Sequence, residues 1–320
     1  MIRSALTLLV ALGLAACASE PGAHLAANTC QLVRLAEVSL EARGSMLFVQ
    51  ARIGKAPVTL LLDTGAERTL LTEAAVDRLR LTRDFQHATR TFGIGSPTAT
   101  WDALLPNGMV LGGAYLAVNS VTVGHFGMDL TPGALADGLL GADIMLAFDI
   151  DLDLPAHRMT LYRARPECPE ETPPWNEPFV KVAGISTRRD RLLVPFELDS
   201  MGGLAVLDTG AQVSSISERM VERIGLVEDD MAQDRTVMAH GAAPDQVAVH
   251  IHLFHELRVG SLVMRDPALP VVPMSSSMGD ALLGADFLQG RRVWLSLSKQ
   301  QVFVTPLEHG PWLAVTQTAE

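Results

Sequence analysis

Val58-Thr59-Leu60-Leu61-Leu62-Asp63-Thr64-Gly65-Ala66 decides the fold, because Leu204-Ala205-Val206-Leu207-Asp208-Thr209-Gly210-Ala211 repeats it 145 residues later (208 − 63). Each copy is an apolar run that ends on Asp-Thr-Gly-Ala. Each is followed at the same offset by a helix start, Thr72-Glu73 (72 − 63 = 9) and Ser217-Glu218 (217 − 208 = 9). A Ser or Thr hydroxyl can accept the free amides of a first turn, and an acidic side chain suits its partial positive charge. Ala75, Val76 and Leu79, like Met220, Val221 and Ile224, have the spacing of a short amphipathic helix, and Gly225 can end the second one.

A second motif keeps the same order. Asp137-Gly138-Leu139-Leu140-Gly141-Ala142-Asp143 begins 74 residues after the first aspartate (137 − 63), and Asp280-Ala281-Leu282-Leu283-Gly284-Ala285-Asp286 begins 72 after the second (280 − 208). Two unrelated motifs in one order, twice, mark a duplicated domain. Between the landmarks the chain reads as short strands, at 47–53, 117–123, 159–162, 192–198, 247–253 and 301–305, bounded by Gly, Pro and Asn. The expected class is all-β with few short helices. The Pro- and Glu-rich stretch at 164–178 can be neither a central strand nor a helix, so it is expected to link a lobe at 46–163 to a lobe at 179–308. Residues 17–45 are expected to form an N-terminal arm and 309–320 a C-terminal tail.

With both copies on the page, the chain resembles the aspartic peptidases of the pepsin and retropepsin type over most of its length. The resemblance implies a bilobal acid-protease fold of two retropepsin-like β-barrel lobes with the active site between them. It implies one catalytic dyad, Asp63 with Asp208, carried on loops supported by Thr64, Gly65, Ala66, Thr209, Gly210 and Ala211. Leu139, Leu140, Gly141 and Leu282, Leu283, Gly284 would brace those loops from behind, and the threonine hydroxyls would bind across the interface. Ala66 and Ala211 are similar to the retroviral form of the motif. A single copy could as easily be an aspartate capping a turn at a strand end.

The chemistry suits the residues. Two carboxylates about 3 Å apart repel by roughly 5 kcal/mol at an effective dielectric near 20, so the pair holds one proton over a wide pH range. The ionised member can deprotonate a water while the protonated member polarises the scissile carbonyl, so the hydrolysis implied needs no metal and no cofactor. The family's flaps, mobile hairpins over the cleft, have as candidates Gly93, Ile94 and Gly95 in the first lobe and His240 and Gly241 in the second. The pepsin flap tyrosine has no counterpart, since the tyrosines are Tyr115 and Tyr162. Those glycines can also serve plain hairpin turns.

The N-terminus is a secretory signal. Arg3 gives a basic start, Ala5 to Leu14 is apolar but too short to span a bilayer, and small residues follow. Leu14-Ala15-Ala16-Cys17 resembles the bacterial lipobox, which would remove residues 1–16 and leave Cys17 as the lipid-bearing first residue, held at the periplasmic face of the outer membrane. Cys30 and Cys168 then remain, either as one disulfide or as two free thiols. The net charge of −11, with its 25 basic residues scattered, argues against a nucleic-acid partner. His250, His252 and His255 do not share one strand face and read as a solvated or half-buried strand. Asp149, Asp151 and Asp153 lack the glycine and terminal glutamate of a calcium loop and read as the exposed edge of a strand. The expected protein is a monomeric endopeptidase acting on proteins or peptides. A non-catalytic lipoprotein using the same fold to bind peptides is the rival, and a dimer whose lobes pair between chains is a third arrangement.

Overall fold

A computed structural model describes residues 32–91, 98–124, 136–163, 172–186, 191–240, 246–296, 299–307 and 312–314. The signal segment with Cys17, together with Cys30, Cys168, Gly93, Ile94, Gly95 and Gly241, lies outside them.

Short apolar strands dominate, as the sequence predicts. Among the described residues they form one sheet in each lobe and a third sheet shared by both. In the first lobe the neighbours run Arg83–Thr91, Thr98–Leu104, Ser120–Val123, Leu70–Leu71, Gly138–Leu140, Ala56–Leu62, Met46–Ile53, Met109–Leu111 and Ala114–Leu116. In the second they run Arg235–His240, Gln246–Leu253, Ala268–Val272, Ser215–Ser217, Ala281–Leu283, Met201–Leu207, Leu192–Leu198, Glu256–Val259 and Leu262–Arg265. The two orders match strand for strand, so the repeat in sequence is a repeat in topology. Trp312–Ala314, in the segment read as a tail, adds a further strand beside Leu262–Arg265.

Four short helices, α1 (Glu73–Leu79), α2 (Ala142–Met145), α3 (Glu218–Ile224) and α4 (Ala285–Leu288), stand at mirrored places. The predicted caps are present: Thr72 accepts from the Ala75 amide at 3.1 Å and Ser217 from the Met220 amide at 3.2 Å. Both helices end on a left-handed residue, Arg80 at φ 54° and Gly225 at φ 95°. Ala75, Val76, Met220 and Val221 are buried, so each helix contributes its apolar stripe to the core.

The shared sheet runs Arg34–Ser39, Arg158–Arg163, Phe148–Asp153, Arg292–Ser296, Gln301–Val304 and Val180–Ala183. Its first three strands come from the N-terminal half and its last three from the C-terminal half. The arm expected at 17–45 therefore contributes a strand of the fold, and Glu41–Arg43 pairs with Met46–Ile53 as well.

The reading of Asp149, Asp151 and Asp153 as an exposed edge is corrected here. Phe148–Asp153 is a central strand, paired on both sides, and Asp149 and Asp151 are buried. Burial is tolerated because each carboxylate is answered from elsewhere in the chain. Ser296 donates to Asp149 at 2.5 Å, while Arg292 donates two bonds to Asp151 at 3.0 and 2.7 Å and Trp175 Nε1 a third at 3.2 Å. Trp175, Trp294 and Phe303 close this side of the sheet as a small aromatic core.

Candidate active site

Both Asp-Thr-Gly loops leave their strands at the same point. Gly138–Leu140 runs parallel to Ala56–Leu62, and Leu140 O accepts the Asp63 amide at 3.1 Å. In the second lobe Ala281–Leu283 runs parallel to Met201–Leu207, and Leu283 O accepts the Asp208 amide at 2.9 Å. The Leu-Leu-Gly segments thus stand behind the loops. A Cβ on Gly141 would meet the Arg68 backbone at 2.5 Å and one on Gly284 the Val213 backbone at 2.7 Å, so only glycine allows this approach.

A further brace went unread in the sequence. Asp143 Oδ1 accepts both the amide and the hydroxyl of Thr69 at 2.8 Å, and that hydroxyl accepts the Gly141 amide at 3.0 Å. Asp286 and Ser214 repeat this at 2.7 Å for both bonds, with the Gly284 amide at 3.0 Å. The signal was available, because Thr69 and Ser214 both stand six residues after their aspartate (69 − 63 and 214 − 208).

The loops meet across the lobes of one chain. Thr64 Oγ1 donates to Leu207 O at 2.6 Å and accepts the Thr209 amide at 3.0 Å; Thr209 Oγ1 donates to Leu62 O at 2.7 Å and accepts the Thr64 amide at 3.1 Å. Four hydrogen bonds thus satisfy, reciprocally, the polar groups that leave water at the interface.

Within its own loop, Asp63 Oδ1 accepts the Gly65 and Ala66 amides at 3.0 and 2.9 Å, and Asp208 Oδ1 accepts those of Gly210 and Ala211 at 2.8 and 3.1 Å. The two carboxyls lie close enough for each to act on the ionisation of the other. Each glycine faces the opposite aspartate: a Cβ on Gly65 would lie 2.4 Å from Asp208 Cγ, and one on Gly210 would lie 2.6 Å from Asp63 Cγ. A side chain at either position would push the carboxyls apart.

Burial, and then the charge of Asp208, holds Asp63 well above the ordinary carboxylate range. Asp208 is raised too, by burial, but its loop amides, the bond from Asp63 and the nearby Arg191 guanidinium oppose that rise. Both carboxyls are thus pushed toward the protonated form, and two like charges this close cannot both ionise readily.

Arg191 is a residue that the repeat could not reveal. Its side chain is 4% exposed, with one Nη on the Glu67 carboxylate at 2.5 Å and the other on Ser277 O at 3.2 Å.

Two apolar clusters adjoin the loops, separate from the main core. Met46, Phe48, Leu61, Leu70 and Leu139 pack with Ala66, and Leu193, Val206, Met274, Met278 and Leu282 pack with Ala211. The hairpins that would bear the flaps are present as Arg83–Thr91 with Thr98–Leu104 and as Arg235–His240 with Gln246–Leu253, His240 ending its strand. Of the three histidines, His252 bonds Asp234 at 2.6 Å, His250 is half-buried and His255 is exposed. Among the described residues no three His, Cys, Asp or Glu side chains gather as a metal site, and no helix is long and apolar enough to cross a membrane.

The comparisons divide as the lobes do. A family model of aspartyl proteases matches residues 49–144, and one of gag-polyprotein aspartyl proteases matches residues 202–290. No curated protein matches the chain. Among solved structures, soybean Basic 7S globulin is similar at a TM-score of 0.42 and 12% identity, over 86% of this chain and 95% of that one. Both halves of the chain are thus similar to aspartyl protease domains, each through the segment that carries its Asp-Thr-Gly loop.

Proposed function

We propose that this chain is an aspartic endopeptidase in which Asp63 and Asp208 form one dyad per molecule. The observation that carries the reading is the reciprocal pairing of the two loops, which sets the Asp63 and Asp208 carboxyls face to face, each against the glycine of the other loop. In the proposed step, the ionised carboxylate takes a proton from a water held between the pair, and the hydroxide attacks the scissile carbonyl carbon. The protonated carboxyl donates to the carbonyl oxygen, giving a neutral gem-diol. The carboxyl that took up the water proton then donates it to the amide nitrogen as the C–N bond breaks, the other carboxylate takes a gem-diol hydroxyl proton as the carboxylic acid product forms, and the dyad is again singly protonated. The apolar clusters beside Ala66 and Ala211 support a substrate with apolar side chains flanking the scissile bond.

The test uses the soluble form Ala18–Glu320 with a diverse peptide library from pH 3 to 8. Asp63→Asn and Asp208→Asn should each lower kcat/KM at least about 1000-fold, and mixing the two variants should restore nothing. Substantial cleavage by either variant, or recovery on mixing, overturns the reading of one dyad per chain. An inactive wild type favours the peptide-binding alternative.

The placement proposed for the enzyme is the periplasmic face of the outer membrane, tethered through lipidated Cys17. The lipobox-like Leu14-Ala15-Ala16-Cys17 supports it. Cys17→Ala should move the protein out of the membrane fraction, and wild type found unmodified and free would refute the tether.

A further inference from the structure

Arg191 and its surroundings break the symmetry that the rest of the site keeps. Met46 and Arg191 both stand 17 residues before their aspartate (63 − 46 and 208 − 191), and the strands between have the same hairpin register. Glu67 and Gln212 likewise both stand four residues after (67 − 63 and 212 − 208). One corner of the site therefore holds an arginine–glutamate pair that spans the two lobes, and the mirrored corner holds methionine and glutamine.

The two members of the pair are not equally screened. Arg191 is nearly buried, whereas Glu67 is 30% exposed, so water screens the glutamate more than the guanidinium. Among the described residues, other charged groups on the elements that carry the loops are bound to partners of their own. Arg68 is bound to Asp102, Asp143 and Asp286 are bound to Thr69 and Ser214, and Asp280 accepts from the Leu204 amide and pairs with Arg223. The second loop brings no charge of its own beyond Asp208, since Ala211, Gln212 and Val213 follow it.

We propose that Arg191 is a positioning residue that assigns the shared proton, leaving the negative charge on Asp208 and the hydrogen on Asp63. Asp208 is then the group that takes the proton from water, and Asp63 the one that donates to the substrate carbonyl. The assignment rests on the endopeptidase reading, but its test does not need turnover. The carboxyl groups are titrated by carbon NMR in protein labelled at aspartate. In Asp63→Asn the remaining Asp208 should titrate about one pH unit below the value that Asp63 shows in Asp208→Asn. Adding Arg191→Met with Glu67→Gln, which copies the mirrored corner, should close that gap, and Arg191→Lys should keep most of it. In the active enzyme the same double change should move the acid limb of the kcat/KM profile upward by about one unit. Equal titration of the two single variants overturns the proposal, as does a gap that survives in the folded double variant. If the double variant does not fold, the two asparagine variants and Arg191→Lys still decide. A wild type inactive on peptides would sink the proposed function while leaving the titration readable.

Discussion

The first lobe and the second share a nine-strand order, a capped helix, a Leu-Leu-Gly brace and an Asp-Thr-Gly loop, yet they differ at the corners. Where the second lobe has Arg191 and Gln212, the first has Met46 and Glu67; where the second ends its helix on Gly225, the first ends on Arg80. What is duplicated is the hydrogen-bonded frame that places two carboxyls together. What has diverged is what surrounds the frame: local charge and local backbone fit. A two-fold frame can thus hold two chemically unequal groups.

The sharpest way to break the comparison is at the threonines. Thr64→Val or Thr209→Val each strips a carbonyl and an amide of their partners at the lobe interface, which should cost about 2–4 kcal/mol in urea unfolding. The double variant should cost less than the sum, because both hydroxyls serve one network. Strict additivity would mean that the two crossings act independently.

The dyad gives a pH-dependent test. In the folded protein the Asp63 pKa is raised above its unfolded value. The folded state therefore holds its proton more tightly, and this contribution is fully present below the ordinary carboxylate value of about 3.9. It is lost as pH rises through the folded pKa. Asp63→Asn removes that loss, so its Tm should exceed wild type by about 2–4 °C at pH 7 and match it near pH 3. A gain that is the same at both values would point away from the dyad.

The helix ends give the smallest effect. Arg80 pays a left-handed backbone cost that Gly225 escapes. Arg80→Gly should stabilise by about 0.5–1 kcal/mol and Gly225→Ala should destabilise by a similar amount, read as opposite shifts in urea midpoint. Shifts of the same sign would show that Arg80 holds its end by side-chain contacts rather than at a backbone cost.

Whatever is repeated was legible in the sequence. Asp63, Asp208, both threonines and the bracing leucines could be named because two copies at matched spacing fix both type and place. The Asp143–Thr69 and Asp286–Ser214 braces went unread although they repeat, and three further kinds of residue escaped. Asp149 and Asp151 were read as exposed because alternating aspartates look solvated, and their partners Arg292 and Ser296 lie in the other half of the chain. Arg34–Ser39 was read as an arm because its partner Arg158–Arg163 lies more than a hundred residues on. Arg191 has no counterpart in the first lobe, and a lone arginine before a strand carries no local signal.

The shared sheet sets a mechanical limit on the molecule. Its middle seam is a ladder between Phe148–Asp153 and Arg292–Ser296, with five residue pairs from Asp149↔Ser296 to Asp153↔Arg292. Swinging the lobes apart would shear that ladder and pull two buried aspartates from their partners at once, a cost that thermal motion does not readily meet. The shared sheet therefore acts as a fixed gauge: the spacing of the two halves it joins is set in the folded chain.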